Sequence, residues 1–390
     1  MAVNNLTFNQ CAALLNAVNQ QATGRTGIAP VNTAEFVSMA TTTLESGYDN
    51  VINSISQVLS KTVFSVRPYN RKFKGLFMDA QRWGNHVRKL QSVDKSAEED
   101  DRIKLVDGQS IDQQKVNKPV VLQTNFYGQN VYQRSITIFK DQLDVAFSSP
   151  EEFGRFISMV LQNVSDTVEQ DHENMARAAL ANFMGAKIKA DTGNVIKLVT
   201  EYNGVTGLTL NSDTVKQPEN FVPFMKWAFA RIKTISGLMS ERSEKFHMNI
   251  DGKPISRHSP KNRQKLYLYS ANVNEMEASV LSSVFNDSYL KGMDYETVNY
   301  WQSIDTPMGI NVTPNYINNT GAVVTAGEAV VQSNILGVLF DEEAVGITTV
   351  NAWSAPAPFN ARGGYTNTFW HYTDRYFNDL TENGVVLLLE

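Results

Sequence analysis

Between Ser149 and Gly185 the chain reads SPEEFGRFISMVLQNVSDTVEQDHENMARAALANFMG, and this stretch limits what the rest can fold into. Ser149 offers an N-cap oxygen, Pro150 has its φ already helical at the first position, and Glu152 completes a capping box. Apolar residues recur at Phe153, Phe156, Ile157, Val160, Leu161, Val164, Val168, Met175, Ala179, Leu180 and Phe183. Their spacing alternates threes and fours, the 3.6-residue period of a one-sided helix. After Gly154 no proline or glycine interrupts the pattern, and Gly185 is the expected stop. A helix of about 35 residues is roughly 50 Å long, about three times the usual length. A lone amphipathic rod of that length needs a sheet or other elements laid along it.

Before this spine segment the chain changes character twice. Residues 1–62 are patterned as helix. Phe8 to Ala22 carries Cys11, Leu14, Leu15 and Val18; Gly24 to Pro30 breaks it; Thr33 to Leu59 resumes with Phe36, Met39, Leu44, Val51, Ile52, Ile55 and Leu59. This face is thin for a self-standing domain, so an arm is expected, packed on the body or on a neighbouring subunit. Residues 63–138 turn extended. Val63, Phe64 and Val66 open one leg, and Val120 to Tyr127 with Val131 to Ile138 form the return. A long β-hairpin arm with a polar tip is expected. Two strands bury no core of their own and are marginal alone in water, so the arm needs a partner surface.

After the spine, Val195 to Thr200 and Val205 to Leu210 read as strands joined by a turn at Asn203-Gly204. A compact unit begins near Val215: a helix over Phe221 to Leu238, a strand over Lys265 to Ser270, a helix over Val273 to Phe285, and strands at Glu296 to Trp301, Ile310 to Thr313 and Gly337 to Phe340. Pro356-Ala357-Pro358 marks a boundary. The tail alternates through Tyr365, Phe369, Tyr372, Tyr376 and Phe377 and ends in Val385 to Leu389, which predicts strands of the buried sheet that carries the spine. There is no internal repeat.

At 390 residues the chain is long enough for two or three packed units. The net charge of −5 argues against a dedicated nucleic-acid binder with a basic surface. Cys11 is the one cysteine, so no disulfide within the chain and no cysteine-based zinc site can form. The start, MAVNNLTFNQ, lacks the basic and apolar regions of a secretory signal. No window approaches 18 consecutive apolar residues, so no membrane span is expected.

A search for chemistry finds no phosphate loop, no G-x-G-x-x-G, no G-x-S-x-G elbow and no H-E-x-x-H. Glu169, Asp171, His172 and Glu173 form the best metal candidate, since residues three apart share a helix face. A long helix must carry charge on its polar side, and the expected reading is a solvent-facing or neighbour-facing side. Asp341-Glu342-Glu343 follows a strand, where acidic turns are common, and no partner acid is identifiable. A carboxylate-dependent enzyme built on Glu169, Asp171 or Asp341 has no motif behind it. No catalytic residue, cofactor site or metal site is expected.

The arm is the more informative feature. Arg67, Tyr69, Arg71, Lys72, Phe73, Lys74, Phe77, Arg82, Trp83, Arg88 and Lys89 interleave basic and aromatic side chains, and the sign flips at Asp94, Glu98, Glu99, Asp100 and Asp101. Basic residues among aromatics can line a single-strand nucleic-acid groove. Opposite charges side by side on one arm also suit a self-complementary, head-to-tail contact between copies, which closes rings. The second reading is preferred, with Arg82, Arg88, Lys89, Asp94, Glu98, Glu99, Asp100 and Asp101 as the subunit contact.

The order of parts resembles the HK-97-like α+β fold of tailed-phage major capsid proteins. Locally the chain is most similar to those of short-tailed, phi-29-type phages. The likeness rests on Lys72-Phe73-Lys74-Gly75, on Asn125-Phe126-Tyr127 through Phe147, on Phe153 to Asn182, on Leu266 to Val273, and on Tyr365 to Tyr372. The resemblance implies an N-terminal arm (1–62), an extended β-hairpin or E-loop (63–138), a peripheral domain (139–214) with its spine helix at 150–184, an inserted α/β axial domain (215–350), and C-terminal strands returning to the peripheral domain (351–390). It also implies self-assembly as hexamers and pentamers into an icosahedral or prolate head around double-stranded DNA. A scaffolding protein, a portal and DNA held non-specifically on the inner face are the implied partners. The implied place is the virion capsid, assembled in the bacterial host cytoplasm. An encapsulin-like bacterial compartment shell is the alternative.

Overall fold

The structure is a computed structural model that describes residues 6–25, 27–61, 73–78, 87–95, 97–112, 114, 116, 118–190, 193–253, 255–281, 295–318, 320–325 and 327–390. The expected strand at Val63 to Val66, the basic run from Arg67 to Lys72, Arg82 and Trp83 lie outside these residues.

In chain order the helices and strands begin with α1 (Phe8–Thr23), α2 (Thr33–Glu45) and α3 (Tyr48–Lys61). Next come β1 (Val87–Ser92), β2 (Val121–Phe126), β3 (Gln129–Phe139), α4 (Lys140–Ala146) and α5 (Pro150–Ala190). Then follow β4 (Val195–Lys197), α6 (Leu198–Thr206), α7 (Pro218–Met239), β5 (Gln264–Tyr269), α8 (Ser270–Leu281) and β6 (Glu296–Val298). The chain closes with β7 (Ile310–Val312), β8 (Tyr316–Ile317), β9 (Val323–Val324), β10 (Val330–Gln332), β11 (Ile335–Asp341), β12 (Val345–Pro356), β13 (Tyr365–Asn378) and β14 (Gly384–Leu388).

The spine helix starts as its sequence dictates. Ser149 Oγ accepts from the Glu152 N–H at 3.2 Å. It runs 41 residues to Ala190, past the expected stop at Gly185, for a length of about 60 Å. Gly185 ends nothing because it is there for space: a Cβ would meet Val312 Cγ2 at 2.5 Å. The helix serves two cores. Its first turns place Phe153, Phe156, Ile157 and Val160 against Leu15, Val18, Phe36, Ile52 and Ile55 of the N-terminal helices. Its last turns place Leu180, Phe183, Met184 and Ala186 against Val338, Phe340, Val386 and Leu388 of a sheet. The N-terminal segment therefore packs on the chain's own spine. The single helix expected over Thr33 to Leu59 is two, because Gly47 takes φ +101, a value that L side chains rarely adopt.

That sheet has strand order β4-β14-β11-β5-β6. It is covered on both faces: α5 lies on one, and α6, α7 and α8 supply the apolar side chains on the other. Double burial explains why the C-terminal run Val385 to Leu389 is apolar without alternation. Val386 and Leu388 face the spine, while Val385 and Leu387 face the second core. The strand expected over Val205 to Leu210 is instead the end of α6 and the loop after it. Asn203-Gly204 lies inside that helix, which is capped at Gly207 with φ +74.

A second sheet has the order β12-β13-β3. β3 pairs with β13 along all 11 of its residues. The return leg expected over Val131 to Ile138 thus belongs to the body. The hairpin is the shorter antiparallel ribbon of β1 and β2, in register from Val87 opposite Phe126 to Ser92 opposite Val121.

Candidate assembly surface

Side chains alternate along a strand, so the ribbon of β1 and β2 has two faces. Along β1, Lys89 and Gln91 are turned in while Arg88, Leu90 and Ser92 are exposed. The inward face is fastened to the chain's own body. Phe126 packs on Phe377 with ring centroids 5.4 Å apart. Gln91 donates to Thr381 Oγ1 at 3.1 Å. The Lys89 ammonium lies 2.8 Å from Asp379, pairs with Glu382, and is 3.5 Å from Glu343. Burial alone would lower its pKa, but Asp379 and Glu382 outweigh burial and raise it. Arg257 joins from the side, 2.9 Å from Glu382 and donating to the Thr381 carbonyl at 3.0 Å. At the end of the ribbon Asp94 accepts from the Ser256 N–H at 2.6 Å and pairs with Arg242 at 2.5 Å. The Ser256 bond, then Arg242, hold its carboxyl below the usual range.

Beyond Asp94 the described residues of the loop to Val120 are exposed. Lys95 pairs with Glu98 at 3.6 Å, Lys104 with Glu99 at 2.7 Å, and Arg102 with Asp100 at 2.6 Å. All these side chains are open to water, where such pairs contribute little. The same loop exposes Ile103 and Val116 at 76% each, together with Leu105, Val106 and Val120. On the outer face of the ribbon Leu90 and Val121 are also exposed. Contiguous exposed apolar side chains are a common feature of surfaces that bind other chains.

Of the residues expected at a subunit contact, Arg88, Glu98, Glu99, Asp100 and Asp101 are exposed, and Lys89 and Asp94 are engaged by the chain's own body. Arg82 lies outside the described residues. The described aromatics of the basic run are core side chains and no stacking platform. Phe73 is fully buried, 5.2 Å from the Tyr267 ring, and Phe77 packs 5.4 Å from His172.

Of the spine cluster expected to face solvent or a neighbour, His172 and Glu173 are buried, Glu169 and Asp171 are half-buried and Gln170 is exposed. His172 is buried with Nε2 3.1 Å from Asp374, which also accepts from the Tyr132 hydroxyl at 2.8 Å. Burial pushes the Asp374 carboxyl up, but His172, Tyr132 and Thr349 together bring it below its ordinary value. Glu173 and Arg177 form a buried pair at 2.5 Å, and the Arg177 guanidinium lies 3.7 Å from the centre of the Tyr300 ring. Asp171 pairs with Arg134 of β3 at 2.5 Å. Helical periodicity identifies the apolar stripe of α5 only. On its polar flank Asp171, His172 and Arg177 meet partners from β3, β13 and Tyr300, all distant in sequence. Asp341, Glu342 and Glu343 are likewise matched by Arg263. Among the described residues no group of three or more His, Cys, Asp or Glu is arranged to hold a metal ion.

Sequence reasoning missed the platform under the ribbon, made by Asp379, Thr381, Glu382, Arg257, His247 and Lys187. One signal was available: Lys187 interrupts the otherwise apolar run from Phe183 to Ile188. A cleft of about 560 Å³ runs between β3 and α5, lined by Gln129, Tyr132, Arg134, Asp171, Asn174 and Asn182 among others.

Comparison with known proteins bears on the family and the fold. The family model described as phi29-like phage major capsid protein matches residues 13–388. No curated protein matches the chain by sequence. Among solved structures, a chain of the capsid structure of Staphylococcus phage Andhra aligns with a TM-score of 0.54 at 11% identity, covering 84% of this chain and 87% of that one. A chain from the structure of the head fiber and inner core protein gp22 of native bacteriophage P68 aligns with a TM-score of 0.54 at 10% identity over the same shares. At such identity the likeness speaks for the fold, and it bears out the expected phage-capsid, HK-97-like architecture.

Proposed function

The chain belongs to the phi29-like phage major capsid protein family and forms the shell of a tailed-phage head; we propose that it does so by closing into hexamers and pentamers, with the exposed arm loop as a contact between copies. The observation that carries this reading is the loop after Asp94, which exposes Ile103, Leu105, Val106, Val116 and Val120 beside charged side chains that pair with one another at the surface. Covering them on a second copy removes apolar area from water, at roughly 25 cal/mol per Å². Arg88, Glu98, Glu99, Asp100 and Asp101 are the contact charges in this reading. Lys89 and Asp94 fasten the root instead.

The role is structural, in the virion capsid, and no reaction is assigned to the chain. The proposed division is an N-terminal arm over 1–62, the arm and its base over 63–138, a peripheral unit over 139–214, an axial unit over 215–350, and returning strands over 351–390. Assembly in the host cytoplasm, with a scaffolding protein and a portal as partners and double-stranded DNA held non-specifically inside, completes the reading. A mildly acidic coat fits it, because strong attraction to phosphate would hinder release of the genome.

The test is charge reversal of the arm loop. Glu98, Glu99, Asp100 and Asp101 are replaced together by lysine, and shells are sought by negative-stain microscopy with and without a co-expressed scaffold. Wild-type protein is expected to form closed shells. The variant is expected to keep its circular dichroism and assemble poorly. Unchanged shells from the variant would sink the arm contact, and a wild-type chain that stays monomeric under all conditions would sink the assembly reading.

A further inference from the structure

Beneath the root of the ribbon the spine helix carries a lysine where its pattern calls for an apolar residue. Lys187 is completely buried. Its ammonium faces the carbonyls of Phe246 at 3.3 Å, Leu380 at 3.4 Å and Glu382 at 3.2 Å. An ammonium has three donors and no acceptor, so three carbonyls match it in number. Two of the three belong to the 379–383 turn. The side chains of that same turn, Asp379 and Glu382, hold Lys89 of the ribbon.

The turn has supports of its own. Asp379 accepts from the N–H and hydroxyl of Thr381 at 2.9 and 2.6 Å. The Met248 N–H donates to the Leu380 carbonyl at 3.1 Å, and the Gly384 N–H to the Phe246 carbonyl at 2.8 Å. These bonds shape the backbone and leave a difficulty. Two carboxylates stand side by side on one short turn, and the Asp379 charge acts against ionisation of Glu382. Lys89 and Arg257 answer them from the ribbon side, and Lys187 from beneath.

Placing a charge there is costly, since a desolvated ammonium is far less stable than a solvated one. Burial pushes Lys187 down to about 7, with Asp379 and Glu382 pulling it back. An aliphatic side chain would fill the position without that cost. What it would lack is a cation gathering three carbonyls and facing two carboxylates.

We propose that Lys187 is the positioning residue of the arm: by holding the carbonyls of Phe246, Leu380 and Glu382 it sets the 379–383 turn so that Asp379 and Glu382 meet Lys89. The spine helix thereby governs where the ribbon lies although it does not touch it through this side chain. The assignment rests on reading the ribbon as the root of the assembly arm, but its test does not depend on assembly.

The test is amide hydrogen exchange, read by mass spectrometry on the unassembled full chain. In Lys187→Met the amides of 87–94 and 121–126 are expected to exchange about tenfold faster, as follows from losing charge-assisted hydrogen bonds beneath them. Exchange in α1 to α3 and in β11 is expected to stay as in the wild type. Lys89→Met is expected to release the same segments, and the double variant no more than either alone, because both act through one turn. Lys187→Gln keeps two N–H donors and is expected to fall between; it is the reporter if Lys187→Met does not fold. Acceleration spread evenly over the chain, no acceleration in the ribbon, or additive effects in the double variant would each overturn the proposal. So would loss of the fold in both Lys187 variants, which would make it a general core residue. A wild-type chain that never forms shells would count against the assembly reading and leave this assignment standing.

Discussion

The buried pair of Glu173 and Arg177 offers a sharp test of the packing around the spine. Both side chains are almost wholly removed from water, at 3% and 4% exposure, and sit one helical turn apart with the guanidinium 2.5 Å from the carboxylate. Arg177 also donates to the Tyr300 carbonyl and stacks against the Tyr300 ring. Removing one partner takes the nearest opposite charge from the other in a place with little solvent. That loss is expected to cost about 3–5 kcal/mol, a large share of the roughly 5–15 kcal/mol that holds a domain together. Glu173→Gln and Arg177→Met should each fall in that range, the arginine variant nearer the top because it also loses the bond and stacking to Tyr300. Glu173→Gln combined with Arg177→Met should cost less than the sum of the two, since no charge is left behind. A coupling of about 2–3 kcal/mol is expected in the cycle. Urea unfolding followed by tryptophan fluorescence is the assay. Trp301, buried beside Tyr300 with its indole N–H on the Ile335 carbonyl at 3.0 Å, reports from the same core. Single variants costing under about 1 kcal/mol, or an additive cycle, would show that the pair is solvated in solution and that this face of the spine is open.

Two other perturbations follow from the same packing. His247 lies 2.6 Å from the Ile255 carbonyl and 3.3 Å from Asn383 Oδ1. Its pKa is depressed from 6.5 to about 4, mainly by burial, with Lys187 and Arg257 adding to the effect and the Ile255 bond opposing it. Between those values the unfolded chain takes a proton that the folded chain refuses. Stability from this group is present above pH 6.5 and lost as pH falls toward 4, to the extent of about 3 kcal/mol; urea midpoints of His247→Gln across that window should be flatter by that amount, and equal slopes in the two proteins would refute the assignment. Glycines separate by environment. Gly185→Ala places a Cβ 2.5 Å from Val312 Cγ2 and should cost about 1–2 kcal/mol by overpacking, whereas Gly204→Ala in α6 has nothing within 4 Å and should gain up to about 1 kcal/mol from helix propensity. Thermal melts showing the same sign for both would contradict the close approach of α5 to β7.

Elements whose signals are local were legible in the sequence. The cap at Ser149, the period from Phe153 to Phe183, the helix near Phe221 to Leu238 and the apolar tail at Val385 to Leu389 all depend on neighbours within a few residues, and each is found where it was read. The family resemblance followed from their order. Features that depend on partners far apart in the chain were not legible there. Gly185 reads as a stop, and only Val312, more than a hundred residues away, makes it a contact point. Val131 to Ile138 alternates as any strand would, and pairing with β13 rather than with the ribbon is what places it in the body. Asp171 and His172 read as part of a polar face until Arg134 and Asp374 meet them. The arm's charges show the same division. Glu98 to Asp101 remain exposed, as their composition suggests, while Lys89 is drawn inward by carboxylates on a C-terminal turn. That turn is in turn held by a buried lysine at the end of the spine. Local free energies choose helix or strand, but the fate of a charge is set by desolvation and by which opposite charges the fold brings near it, and neither is a property of the residues on either side.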